Sequence, residues 1–305
     1  MEGRLMHAVQ YNSCGGEPSD LKYVEVPVPS PKKDEVLIKV EAASLSTDVA
    51  GEVADVGSGV KNFKAGDKVV AMLNFANGGG LAEYIVAKAN LTVPRPPEVS
   101  AAEGAGLPAA GLMAYQALTD SAGIKLDGSG KPGNILITGA ADGAGCYAVQ
   151  LAKLGNTHVT ATCAAQHIEL VKSLGADEVV DCTSPDGAAL KSPSGKKYDI
   201  VIHGGAPTPW STFEPNLGSN AKIFDINPTP SAIKTYALKK LTFSKKQIIP
   251  VLLSPKAENL DYLVKLMKEG KLKTVIDSKY SLSKAEDAWA KNVDEKAIGK
   301  IILEP

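Results

Sequence analysis

The chain has 305 residues, 44% of them hydrophobic and 22% charged, with a formal net charge of −1. These are the proportions of a soluble globular protein with one large or two ordinary domains, and a near-neutral chain has no global field to recruit nucleic acid or anionic lipid. No apolar run is long enough to span a bilayer, and Met1–Met6 shows neither a secretory h-region nor the Ser- and Arg-rich character of a transit peptide.

The first part of the chain reads as short strands with turn signals between them. Strands are expected at Leu5–Tyr11, Leu21–Val28, Glu35–Leu45, Val49–Val56, Lys68–Leu73 and Leu81–Ala87. Pro27, Pro29 and Pro31 end the second strand, because proline cannot donate to a sheet ladder. Asn77–Gly80 reads as flexible. This spacing suggests a partly open β-barrel. Ala101–Leu118 is helical in character, interrupted by Pro108 and three glycines, and reads as a bridge between domains.

From Asn134 the pattern changes to β-α alternation, which implies a parallel sheet covered on both faces. Strands are expected at 134–138, Val159–Cys163, Glu178–Asp181, Tyr198–His203 and Ala221–Ile226, with helices at 145–154, 167–174 and around 210–217. Glu258–Glu269 reads as an amphipathic helix stopped by Gly270. Late strands are expected at Lys273–Asp277 and Lys300–Leu303, flanking a helix over Ser283–Asn292 in which Ser283 and Glu286 stand at capping-box spacing.

The stretch Asn134–Lys153 organises the rest. An apolar strand runs into the small-residue turn Gly139–Gly145 and then into a helix, the opening unit of a dinucleotide-binding domain. There the backbone approaches a diphosphate, and the helix start supplies N–H groups and a positive dipole end. The cysteines, Cys14, Cys146, Cys163 and Cys182, are not paired at C-x-x-C spacing, and the histidines are scattered. Free thiols in a reducing compartment and no metal are therefore expected.

Gly66-Asp67-Lys68-Val69, Gly80–Tyr84, the Leu107–Leu118 bridge, the glycine turn with Tyr147–Lys153, Lys172–Asp177 and Gly299-Lys300-Ile301 occur in one order. Together they resemble the zinc-free quinone oxidoreductase branch of the medium-chain dehydrogenase/reductases, in particular its plant chloroplast-envelope members, from about Leu5 to Pro305. The resemblance implies an α/β fold, a Rossmann parallel-sheet domain (residues 113–250) inserted into a GroES-like β-barrel domain (residues 1–112 and 251–305). The activity it implies is NADPH-dependent reduction of quinones or of the C=C bond of α,β-unsaturated carbonyls, with a small-molecule quinone or enone as partner and no nucleic acid. It places the protein in the chloroplast, at the envelope and without a cleavable transit peptide, or else in the cytoplasm. Homodimers are common in the family. The Lys-rich stretches Lys239–Lys246 and Lys268–Lys273 could touch acidic membrane surfaces, though such stretches are more often solvated faces.

Candidate cofactor residues follow the Rossmann pattern. Ala140, Ala141, Asp142, Gly143, Ala144 and Gly145 form the phosphate-facing turn, and Asp142 stands where the family has glycine. A carboxylate there opposes a phosphate, unless it points to solvent or caps the helix. After Cys163 come Ala164, Ala165 and Gln166, with no acid to bind the ribose hydroxyls as NAD sites do, so NADPH is favoured over NADH. The family's Arg and Tyr are replaced by Gln166 and Cys182, which leaves Lys172, helped by His167, for the 2′-phosphate. Gly204, Gly205 and Ala206 end the fourth strand of the sheet and would border the nicotinamide ribose, with Asn227 a weaker candidate at the same edge.

Ser46, Thr47 and Met113 are placed at a substrate cleft, where Met113 also reads as core. The family's segment between the third strand and Asp48-Val49-Ala50-Gly51 is missing, and Leu45 reaches Asp48 through Ser46 and Thr47 alone, with no Gly, Pro or Asn to turn the chain. This loss should open the cleft or force the barrel to re-pair its strands. No catalytic residue is named, since Tyr84 is weakly placed and solvent can protonate an enolate. The alternative function is a cofactor-binding homologue without reductase turnover, regulatory or redox-neutral.

Overall fold

The computed structural model describes residues 3–11, 18–73, 79–241, 247–294 and 297–305. Cys14, Asn77 and the Lys245–Lys246 end of the basic stretch lie outside the described residues. The chain divides into two compact units, Met1–Leu112 with Ser254–Pro305, and Met113–Leu253.

The first unit opens with strands β1 (Leu5–Gln10), β2 (Lys22–Pro27), β3 (Glu35–Ser44), β4 (Asp48–Val56), β5 (Lys68–Met72), β6 (Tyr84–Lys88) and β7 (Thr92–Pro94). Helix α1 (Ala101–Gly106) follows, then α2 (Pro108–Gln116), along which the chain enters the second unit. The Leu107-Pro108 step divides the helical stretch, as the interruption at Pro108 leads one to expect. Proline has no N–H for the preceding turn but suits a helix start. Ser100 and Glu103 form a reciprocal capping box on α1 that the sequence reading overlooked.

The second unit alternates: β8 (Asn134–Thr138), α3 (Gly143–Leu154), β9 (His158–Cys163), α4 (Ile168–Ser173), β10 (Glu178–Asp181), α5 (Pro185–Ala188), β11 (Tyr198–His203), α6 (Trp210–Phe213), β12 (Leu217–Asp225), α7 (Pro230–Leu241) and β13 (Ile248–Pro250). All neighbours in its sheet, ordered β10-β9-β8-β11-β12-β13, run parallel. Ile135, Leu136 and Ile137 of β8 are fully buried, each contributing about 2 kcal/mol by leaving water. Helix α3 buries every residue from Gly145 to Ala152. The carboxyl ends of β8, β9, β11 and β12 therefore share one edge, set by the registers Thr138↔Thr162, Thr138↔His203 and His203↔Asp225.

The chain returns to the first unit with α8 (Ala257–Lys268), β14 (Ile276–Ser281), α9 (Ala285–Val293) and β15 (Lys300–Glu304). Its larger sheet has the order β14-β15-β3-β4-β5-β7, with β6 also on β3, while β1 and β2 pair with each other. Three expectations need correction. The strand expected at Lys273–Asp277 lies at Ile276–Ser281, because pairing with β15 fixes it there. Ser283 does not cap α9. The residue before that helix is Lys284, without a side-chain cap, and Ser283 Oγ bonds Ser281 Oγ instead. Strands β7 and β13 and helix α7 were not expected.

The chain between β3 and β4 turns despite having no Gly, Pro or Asn. The two strands pair antiparallel up to Ala43↔Val49, so Ser44–Asp48 is a hairpin connection. Ser44 Oγ lies 2.7 Å from Ser46 Oγ, Ser46 N donates to Ser44 Oγ (3.3 Å), and Ser46 Oγ donates to Asp48 Oδ2 (3.1 Å). These short polar side chains offer the backbone local partners, as hydroxyl and carboxylate turns do. β3 and β4 pair directly with each other on either side of this connection.

Candidate functional site

The parallel sheet brings most of the sequence candidates to its carboxyl edge. Gly139, at φ 66°, starts the turn, and Asp142 is the residue before α3. The first backbone bond of that helix is Cys146 N to Asp142 O, at 2.9 Å. The amides of Gly143, Ala144 and Gly145 precede it, so they are the helix-start donors with no carbonyl one turn back. A Cβ at Gly145 would stand 2.0 Å from Gly139 O, so this helix can lie against its strand only with glycine there.

Asp142 is exposed and its side chain does not cap α3. Its backbone has cap geometry, but its side chain makes no cap bond. Its Oδ2 lies 2.7 Å from where a Gly139 Cβ would be, so the carboxylate is folded back over the turn. The same Cβ would stand 3.0 Å from Gly204 C and from Gly205 N. The glycine turn and the Gly204–Ala206 loop therefore meet backbone against backbone.

Thr138 and His203, the last residues of β8 and β11, lie beneath this meeting point, and sequence reasoning missed both as site residues. Thr138 Oγ1 accepts from Gly204 N at 3.2 Å and Gly205 N at 3.3 Å, and lies 2.7 Å from His203 Nδ1. The signal was available: each is a polar residue closing an apolar strand, in register with the other.

On the β9 side, Cys163 is buried, and burial followed by the nearby Cys182 pushes its thiol up to about 11. Burial followed by Asp142 pushes the Cys146 thiol up to about 12. Both remain protonated at neutral pH and are poor nucleophiles. Gln166 is exposed, and His167 precedes α4 without a cap bond. Lys172 lies in the last turn of α4, the turn farther from the carboxyl edge, and its Nζ bonds Glu169 Oε1 at 3.0 Å. Asn227 N donates to Asp225 Oδ1 at 3.0 Å, which fixes the loop after β12.

In the first unit, Ser46 is half-buried and Thr47 buried. Thr47 O accepts from Leu73 N at 2.7 Å, whereas Thr47 Oγ1 is buried without a hydrogen-bond partner. Asp48 is fully buried and accepts from Ala109 N, in the first turn of α2, at 3.1 Å to each oxygen. Burial pushes its carboxyl up, opposed by Lys300, whose Nζ is 3.8 Å away, and by the bonds from Ala109 and Ser46. Met113 is half-buried in α2. Tyr84 is buried, with the Arg4 guanidinium 5.2 Å from its ring centroid. Among the described residues no group of three or more His, Cys, Asp or Glu side chains could hold a metal ion, and no helix is long and apolar enough to cross a membrane.

Residues 7–97 match the alcohol dehydrogenase GroES-like domain, and residues 174–303 match the zinc-binding dehydrogenase family. The chain is 62% identical to the chloroplast envelope quinone oxidoreductase homolog of Arabidopsis thaliana, over all of both chains. That alignment runs over 329 positions against 305 residues here, so at least 24 positions have no counterpart in this chain. It is 31% identical to the 2-methylene-furan-3-one reductase of Solanum lycopersicum, over 92% of this chain and 74% of that one. The solved quinone oxidoreductase of Coxiella burnetii superposes with a TM-score of 0.88 at 28% identity, covering 99% of this chain and 100% of that one.

Proposed function

We propose, from the premise that this chain belongs to the quinone oxidoreductase branch of the medium-chain dehydrogenase/reductases, that it reduces quinones or the C=C bond of α,β-unsaturated carbonyls with NADPH. The observation that carries this reading is the backbone contact between the glycine turn and the Gly204–Ala206 loop at the carboxyl edge of the parallel sheet. A ligand of such a sheet lies at that edge, and only bare backbone lets a diphosphate come close.

The residues fit a dinucleotide in backbone and oppose it in charge. The amides of Gly143, Ala144 and Gly145 would hold the diphosphate, with Ala140 and Ala141 small enough to let it approach. Gly204, Gly205 and Ala206 would border the nicotinamide ribose. Cys163, Gln166 and, farther out, Lys172 would surround the adenosine side, and Asn227 would stand at the rim. NADPH is preferred over NADH because nothing from Cys163 to Gln166 offers a carboxylate to ribose hydroxyls. Asp142 makes binding weaker than the backbone alone would allow. The cofactor, when bound, supplies the hydride, and the chain supplies position and orientation. By analogy with its Arabidopsis relative the protein acts in the chloroplast.

Purified protein should quench or shift NADPH fluorescence on binding and oxidise NADPH when given short enones or quinones. Absence of binding to either dinucleotide overturns the reading. A second reading is a dinucleotide-binding homologue without turnover, favoured by the connection shortened to Ser44–Asp48 and by the Asp142 carboxylate. Binding without oxidation across a panel of quinones and enones would select it.

A further inference from the structure

We propose that Thr138 and His203 form a hydrogen-bonded lock whose proton arrangement holds the Gly204–Ala206 loop against the glycine turn, making His203 a positioning residue for the dinucleotide. The lock follows from the geometry, and its link to cofactor binding rests on the function proposed above.

Count the protons at Thr138 Oγ1. The amides of Gly204 and Gly205 can only donate, and both point to this oxygen, at 3.2 and 3.3 Å. Gly204 N is shared with Thr138 O, also at 3.2 Å. Two donors occupy the two lone pairs of a hydroxyl, whose own proton must then go to a third neighbour. That neighbour is His203 Nδ1, at 2.7 Å. Nδ1 is therefore the acceptor, and the imidazole is neutral with its proton on Nε2.

The surroundings favour this state. His203 is buried, and the ring of Phe213 on α6 packs edge-on at 5.3 Å. Burial pushes the imidazole below the usual histidine range, against the pull of Asp225 on β12 and of the Ala206 backbone. Asp225 is the charged group that acts on the ring, while α6 and β8 present the uncharged Phe213 and Thr138. Protonating His203 would turn Nδ1 into a donor facing an oxygen that already accepts twice. The Thr138 proton would lose its acceptor, and a glycine amide would have to let go. The loop would then loosen at the edge where the cofactor is expected.

Two measurements test this. In protein with 15N-labelled histidine, His203 Nδ1 should show the shift of an unprotonated ring nitrogen, with the proton on Nε2. A proton on Nδ1 overturns the lock, and this readout needs no cofactor. Separately, NADPH affinity is measured from pH 5 to 8 in wild type, T138V, T138S, H203L and H203N. Losing the lock should weaken NADPH roughly five- to tenfold in T138V and H203L at pH 7.5, about the effect of one or two hydrogen bonds. T138S keeps the hydroxyl and H203N keeps an acceptor at the δ position, so both should restore most of the affinity. The wild-type advantage over T138V should shrink as pH falls. Taking that difference cancels the titration of the cofactor itself. Equal affinity and a parallel pH profile for T138V would refute the positioning role. A wild type that binds neither dinucleotide would remove the proposed function and with it the positioning role, while the tautomer measurement still decides the lock.

Discussion

Asp142 brings a negative charge to the turn of the second unit that has to receive an anion, and the structure shows its carboxylate folded back over Gly139. Coulomb repulsion between one such exposed charge and a diphosphate some 6 Å away is about 1 kcal/mol. D142N should therefore tighten NADPH roughly fivefold, and D142G by at least as much, with the gain shrinking at high salt. Titrations at low and at high ionic strength check both statements, and an unchanged affinity would mean that the carboxylate swings aside at no cost. In the first unit, Asp48 is the residue whose loss should hurt stability most. D48A would strip Ala109 N and Ser46 Oγ of their acceptor and leave Lys300 beside an uncharged cavity. Breaking a buried pair from one side costs about 3–5 kcal/mol, which a urea melt at neutral pH would read directly.

At the scale of elements, Glu178 ties the start of β10 to its surroundings. It accepts from Thr160 Oγ1 on β9 (2.8 Å), from Ser192 Oγ (2.7 Å) and from Ser194 N (3.1 Å). Burial pushes its carboxyl up, but the bonds from Ser194, Ser192 and Thr160 overcome this and hold it at about 2, against 4.5 for the free group. A depressed carboxylate stabilises the fold fully above its unfolded value, and that contribution is lost as pH falls from about 4.5 toward 2. The difference corresponds to about 3 kcal/mol. E178Q should cost up to that amount at pH 7, and the gap to wild type should shrink by more than half in urea melts at pH 3. A gap that stays constant with pH would place the effect in packing instead of charge. The elements also differ in how far the sequence revealed them. β8, the glycine turn and α3 were legible because an apolar run and a helical period sit directly on either side of small residues. The turn at Ser44–Asp48 was not, because its partners are serine hydroxyls and a buried carboxylate, which no glycine or proline announces. β13 has three residues and exists by pairing with β12, and β14 is fixed by β15. Such strands take their position from tertiary pairing, which local patterning does not encode.

For the whole molecule, the expected cofactor contacts and the Ser44–Asp48 connection fall in different units, and this separates binding from turnover. Every residue proposed to hold the dinucleotide lies between Thr138 and Asn227, inside the unit Met113–Leu253. The sequence reading expects the missing segment between Leu45 and Asp48, which lie in the other unit. Dinucleotide binding should therefore survive whether or not reduction does. NADPH at about 100 times its dissociation constant would stabilise the protein by about 2.7 kcal/mol, which amounts to several degrees in Tm for a unit of this size. NADH should give a smaller shift at the same concentration, because nothing from Cys163 to Gln166 offers a carboxylate to its ribose hydroxyls. Hydrogen exchange should slow on NADPH addition in peptides spanning 139–146 and 203–207. If Tm rises and those peptides are protected while quinones and enones leave NADPH unoxidised, the reading of a dinucleotide-binding homologue without turnover stands. If oxidation proceeds, the five-residue connection from Ser44 to Asp48 is compatible with turnover.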